Sequence, residues 1–226
     1  MMILTALLLS LLQSSNKKDQ PLDSATDTSF LSCTVWTGKE WTKPTARSAR
    51  TPVLQSPKGL RAYGEVQVVI HDDDCENTTT LHVSRAPGEE FKIFYTKSSS
   101  ESDGNGIRLV GWSPDGTKLL AEVTSWKYET DSGFEYTPLI YDVSTNSAKE
   151  IPALEKSLLL YFGSNCEFEH SVRGWVTDQQ IRVRISRTQE SEEYEQHFCV
   201  DGPKLFVYYL QKDKLQSIQL APRTPK

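Results

Sequence analysis

Hydrophobic and polar positions along this chain alternate in short runs and rarely keep a helical period. Ile181-Arg182-Val183-Arg184-Ile185 is the clearest case. Apolar side chains at every second position put one strand face on a core and the other in water. Similar runs, rich in Val, Ile, Leu, Tyr and Phe, are separated by turn residues. They predict three groups of four strands. The first spans about 52–97, with strands Pro52–Gln55, Arg61–His71, Thr79–Ser84 and Phe91–Thr96. The second spans about 107–152, with Ile107–Trp112, Lys118–Lys127, Pro138–Val143 and a weak Ala148–Ile151. The third spans about 170–220, with His170–Trp175, Ile181–Arg187, Lys204–Leu210 and Leu215–Gln219. Leu154–Phe162 suits a helix and a strand-bearing insertion equally. Cys33–Trp36 and Lys39–Trp41 suit a short strand pair around Gly38, and residues 42–51 read as a basic, polar linker.

The three groups are related. Ser56-Pro57-Lys58-Gly59-Leu60-Arg61 and Ser113-Pro114-Asp115-Gly116-Thr117-Lys118 are near copies, each running into a strand. Pro presets φ in such a turn and Gly tolerates the positive φ at its end. Gly174-Trp175-Val176-Thr177-Asp178 is a fainter copy of Gly111-Trp112-Ser113-Pro114-Asp115. Cys75 stands six residues before Leu81, and Cys199 six before Leu205, a second match between the first and third groups. Self-similarity at roughly 50–60 residues points to a repeat of β-propeller type. The fold class expected is all-β: a propeller-like repeat of about three four-stranded antiparallel blades.

Residues 111–120, followed by Leu139-Ile140-Tyr141-Asp142-Val143-Ser144-Thr145-Asn146-Ser147, resemble the TolB-like, WD-repeat-related blade of bacterial exported propellers. In that family Trp-Ser-Pro-Asp-Gly joins the first two strands of a blade. The resemblance is good over 107–152, partial over 52–97 and faint over 170–220. It implies a protein- or ligand-binding surface and is nearly silent on activity. Complete propellers have at least four blades. Three units leave open an incomplete ring, a sheet completed by residues 30–42, and a smaller β assembly.

The chain opens with an apolar run over Met1–Leu12 followed by the polar Asn16–Pro21. The run is shorter than the ~20 residues of a spanning helix. Residues 1–15 are therefore expected to be a secretory signal, 16–30 a flexible N-terminus and 31–226 the β domain. The alternative is a buried N-terminal helix. The net charge of −5 offers no broad basic field for nucleic acid. Four cysteines, with no C-x-x-C pair, suit two disulfides in an exported chain. Three pairings are possible. The loops of the repeat favour Cys33–Cys75 and Cys166–Cys199.

The candidate chemistry is sparse. Gly111-Trp112-Ser113-Pro114-Asp115 lacks the last glycine of a nucleophile elbow and is followed by a strand instead of a helix. His71, His82, His170 and His197 form no i, i+4 pair, so neither metal nor cofactor is expected. His71–Glu76 and Asp103–Gly106 read first as turn residues. Glu65 and Glu122 stand nine residues after equivalent serines and are read as strand-surface residues. Trp112 and Trp175 are assigned to the core, and Trp126 to a loop end where it is available for binding. Asn77-Thr78-Thr79 matches a glycosylation sequon. One pattern is more specific. The loops between second and third strands gather acids on one rim: Asp72, Asp73 and Asp74; Glu129, Asp131, Glu135 and Tyr136; Glu192, Glu193 and Tyr194. Such a rim suits a basic protein or a cationic ligand. The expected role is therefore non-catalytic binding or scaffolding outside the cytoplasm, with no membrane span. A structural envelope protein and an accessory module of a hydrolase system are the alternatives.

Overall fold

The structure is a computed structural model. It describes residues 31, 33, 35–36, 38–43, 47–71, 74–86, 88–99, 103–127, 134–163, 167–187 and 200–217. The leader and flexible segment expected over 1–30 lie outside these residues. A small ribbon pairs β1 (Val35–Trp36) with β2 (Trp41–Thr42) across Gly38, whose φ is 91°. Three larger antiparallel sheets follow. Sheet I holds β3 (Ser48–Arg50), β4 (Leu54–Gln55), β5 (Arg61–His71), β6 (Asp74–Ser84) and β7 (Lys92–Ser99). Sheet II holds β8 (Asp103–Trp112), β9 (Lys118–Lys127), β10 (Glu135–Asp142) and β11 (Ser147–Glu150). Helix α1 (Ala153–Phe162) leads to sheet III, with β12 (Glu169–Thr177), β13 (Gln180–Ser186), β14 (Lys204–Tyr209) and β15 (Lys214–Ser217). Strands neighbour each other in chain order, as in an up-and-down blade.

Residues 48–50 are not linker. β3 and β4 both pair with β5, and Thr51 joins them: its N–H donates to the Gly64 carbonyl, and its Oγ1 accepts the Gly64 N–H, each at 2.9 Å. They act as one interrupted edge strand, because the edge of β5 needs backbone partners that a free linker would leave unmet. Each sheet thus has four strand positions.

All three edge strands carry one extra residue at the same place. The β8–β9 register slips between Leu109 and Gly111, and the β12–β13 register between Val172 and Gly174. Gly111 and Gly174 have φ of 157° and 137°, which only glycine adopts without strain. In sheet I the pairing passes from Arg50↔Glu65 to Leu54↔Ala62, again one residue in excess on the edge. In sheets II and III the bulge is followed by a joint to the sheet before it. Trp112 Nε1 donates to the Leu54 carbonyl at 3.3 Å, and Trp175 Nε1 to the Gly111 carbonyl at 2.9 Å. Leu54 pairs with Ala62, and Gly111 with Leu120, so the two joints are equivalent.

Two cores separate the sheets. Ala62, Leu81 and Val83 of sheet I meet Ile107, Leu119, Ala121, Val123, Leu139 and Tyr141 of sheet II. Leu120 of sheet II meets Val172, Ile181, Val183, Ile185, Phe206 and Tyr208 of sheet III, with Leu154 and Leu158 of α1. Sheet II is therefore buried on both faces, which explains the unbroken Leu119-Leu120-Ala121. Sheet III buries one face there, which explains the alternation in Ile181–Ile185. Leu154 and Leu158, four apart, reach the core from one side of α1, which settles that segment as a helix.

The disulfide Cys33–Cys75 is formed, with Cα atoms 6.0 Å apart. Cys166 and Cys199 lie outside the described residues. Beside the disulfide, Asn77 is fully buried: its Nδ2 donates to the Leu31 carbonyl at 2.6 Å, and its Oδ1 accepts the Asn105 N–H at 3.2 Å. The sequon asparagine is consumed by packing. Asp103–Gly106 is not a turn but the start of β8, because Gly104 leaves room for an indole. Trp126 is correspondingly buried instead of displayed, and a Cβ on Gly104 would overlap its ring. Gly104→Ala is expected to lower unfolding free energy by about 1–3 kcal/mol, the usual cost of overpacking. Gly202, with open space around it, serves as the control: Gly202→Ala should leave the urea midpoint nearly unchanged.

Candidate functional site

The rim expected from sequence is only partly within the described residues. Asp72, Asp73, Glu129, Asp131, Glu192, Glu193 and Tyr194 lie outside them. The first loop is shorter than expected: Asp74, Cys75 and Glu76 belong to β6 and pair with His71, Ile70 and Val69. β-branched Thr78, Thr79 and Thr80 extend the strand outward, so pairing continues to the hairpin end. Glu135 opens β10 and is exposed, with Tyr136 half-buried behind it. Phe134, exposed, lies 6.1 Å from the Trp126 ring and 6.4 Å from the Tyr136 ring. Burial, then the charges of Glu169 and Glu122, hold the Tyr136 hydroxyl above its ordinary pKa, so it stays a neutral donor. His170, on β12 nearby, is held below the ordinary histidine range by burial, against the charge of Glu155 and a hydrogen bond to the Tyr136 backbone. The described part of the rim is thus an aromatic step at the seam of sheets II and III.

Glu65 and Glu122 correct the sequence reading. Neither is at the surface: their side chains are 4% and 2% exposed. Nor are they equivalent. The turn in sheet II closes with Ser113 N–H donating to the Lys118 carbonyl, and that in sheet I with Ser56 N–H donating to the Leu60 carbonyl. The first turn is one residue shorter. A one-residue slip moves every side chain to the other face. Glu122 therefore matches Gly64 and faces sheet III, whereas Glu65 matches Val123 and faces away from sheet II.

At the seam of sheets II and III, Glu122 and Arg108 clamp one residue of an edge strand. Glu122 Oε1 meets Arg108 Nη2 at 2.5 Å, and Oε2 accepts the Val172 N–H at 2.7 Å. Arg108 Nη2 also donates to the Val172 carbonyl at 3.1 Å. The ion pair gives Val172 both partners that a further strand would have supplied. Lys118 and Asp115 extend the joint: Lys118 Nζ donates to the Asp178 carbonyl at 3.1 Å, and Asp178 Oδ1 accepts the Asp115 N–H at 2.9 Å.

The outer face of sheet I gathers a second polar network. Glu65 Oε1 meets Arg50 Nε at 3.0 Å, and its Oε2 lies 3.4 Å from His82 Nε2. Thr80 Oγ1 lies 2.9 Å from the same Nε2. The His82 ring stacks on Tyr63 at 4.4 Å, and Phe91 meets Tyr63 edge-on at 4.8 Å. Arg50 and Arg61 lie over the Tyr63 and Phe91 rings at 5.1 and 5.0 Å. The hydrogen bond and charge of Glu65 hold Arg50 more firmly protonated than usual. Burial outweighs Glu65 at His82 and lowers its pKa, with Arg50 adding to the effect. Thr80, His82 and Glu65 superficially suggest a nucleophile relay. A relay needs the carboxylate on the ring nitrogen opposite the hydroxyl, and here both oxygens approach Nε2. The arrangement locks side chains together and has no relay geometry. Sequence reasoning missed it because Arg50 was placed in a linker and Glu65 was read as a solvated strand-surface residue instead of a buried one.

No family model and no curated protein matches this chain. Among the described residues no helix is long and apolar enough to cross a membrane.

Glu122→Ala should cost about 3–5 kcal/mol in a denaturant titration, since it strands the Arg108 charge and the Val172 N–H together. Acid sensitivity supplies a second expectation. His82 and His170 have folded pKa values lowered from 6.5. Their contribution is complete above the unfolded value and is lost as pH falls through the folded ones, because the unfolded chain then binds more protons. Stability should decline from pH 7 to pH 5, and the double variant His82→Gln/His170→Gln should flatten that decline.

Proposed function

We propose that the chain is an exported, non-catalytic binding or scaffold protein that holds a partner on propeller-like blades of the TolB-like type. The observation that carries this reading is the repeated joint between sheets. The same bulge and the same indole-to-carbonyl bond recur, and they fix three sheets as one stack whose end faces and loop rim are left for display. Scaffolds of this kind place function on surfaces that the core does not need. The Cys33–Cys75 disulfide supports an oxidising compartment, because such bonds persist outside the cytosol. The acidic rim, with Glu135 and the Phe134–Tyr136 step beside it, is the surface proposed for a basic protein or cationic ligand.

Export and binding are tested on one preparation. Mature protein expressed with its leader should begin between about residues 14 and 20, the usual signal length, and intact Met1 on a reduced cytosolic chain would overturn export. Cross-linking in the exported compartment should trap a partner. Neutralising Asp72, Asp73, Asp74, Glu192 and Glu193 to their amides should reduce that trapping and weaken its salt dependence, with the melting midpoint nearly unchanged. Full retention of the partner by this variant would remove the rim from the proposal.

A further inference from the structure

The two ends of the stack are finished differently. The outward positions of sheet I are Arg61, Tyr63 and Glu65, where sheet II has Leu119, Ala121 and Val123; their charges are paired or stacked within the sheet. That is how a repeat array closes off its end. The outward face of sheet III is rich in arginine, with one acid, Glu169, at its end opposite Ser186. Arg182 and Arg184 stand where sheet II has Leu120 and Glu122, and Arg173 fills the bulge position held by Val110 in sheet II. The register places Arg182 and Arg184 on the face turned away from sheet II, with Val207 and Leu205 opposite them; Arg173 takes the place of Val110, which packs on the corresponding face of sheet II. Among the described residues no carboxylate forms an ion pair with Arg173, Arg182 or Arg184. Arg173 Nε is buried and meets no acceptor among the described residues. Burial and the charges of Arg184 and Arg108 make Arg173 harder to protonate than usual, so the cluster is electrostatically loaded as it stands.

We propose that the outer face of sheet III is a docking surface for a carboxylate-rich segment of a partner protein, with Arg173, Arg182 and Arg184 taking its carboxylates and Leu205 and Val207 its apolar side chains. In sheet I the outward charges are paired or stacked, whereas here the three arginines have no ion-pair partner among the described residues. Unpaired guanidiniums beside half-buried aliphatics instead match a chain that alternates acid and apolar residues. A second copy seating its acidic rim here is the competing occupant, and self-association distinguishes it in the test. The proposal goes beyond the binding reading above: it adds a second surface with a partner of opposite charge.

The test uses the mature chain and a fluorescent peptide of alternating Glu and Leu. Anisotropy should show salt-sensitive binding, weakened about tenfold or more by Arg182→Gln/Arg184→Gln. Both positions lie away from the Arg108–Glu122 clamp, and the melting midpoint should not move. Lys149→Gln, on exposed β11, should bind as the native chain does. A Gln/Leu peptide should not bind. Equal affinity in the arginine variant, equal binding of the Gln/Leu peptide, tighter binding of polyphosphate, or self-association abolished by the variant would each overturn the assignment.

Discussion

The inner edge of each sheet is a strand with one unpaired side, and the stack depends on how that side is satisfied. Unpaired backbone groups at a buried edge are costly and invite wrong pairing. Here the neighbouring sheet supplies side chains in place of a strand. The Trp175 indole reaches the Gly111 carbonyl, and the Arg108–Glu122 pair takes both backbone groups of Val172. The bulges belong to the same solution, since an extra residue re-aims the strand end where the tryptophan departs. A buried ion pair is weak evidence for stability in general. At this seam its role is geometric: it fixes where sheet III sits along sheet II. On the outer side the bond between Tyr95 and Glu150 joins β7 to β11 across the first seam.

Much of the architecture was legible from period and punctuation. Two-residue alternation, Ser-Pro-x-Gly turns and the echo of Gly-Trp placed the sheets correctly, because these signals are local. What was illegible depended on counting across a turn. Glu65 and Glu122 stand at identical distances from their serines, and only the hydrogen bonds of the turns reveal a one-residue difference that sends them to opposite faces. Short β3 had the same problem. Ser48-Ala49-Arg50 has no strand signature of its own and is held in the sheet by β5. Gly104 looked like turn chemistry, whereas its missing side chain makes room for Trp126. Of the rim, nothing in the spacing of the acids indicated that Asp74 would be drawn into β6.

The contrast between interior and end sheets also explains the composition of each repeat. Sheet II, covered on both faces, carries apolar residues at consecutive positions of β9. Sheets I and III keep the apolar period on one face and spend charged residues on the other. The copies therefore differ most where their surroundings differ. Repeat identity in this chain is a property of the turns and bulges, and the faces follow position in the stack.

The Cys33–Cys75 bond has a mechanical consequence. It closes a loop of 42 residues in sequence separation that contains β1, β2, β3, β4 and all of β5. Tension entering from the N-terminal side passes through the sulfurs directly into β6, the strand lying between β5 and β7. The edge of sheet I is shielded from the pull and cannot be peeled off first. At roughly 3.3–3.6 Å per residue, about 140 Å of chain is removed from the length that force could extend. Reduction of that bond would restore this length and move the point of attack from an interior strand to the weakest margin of the sheet.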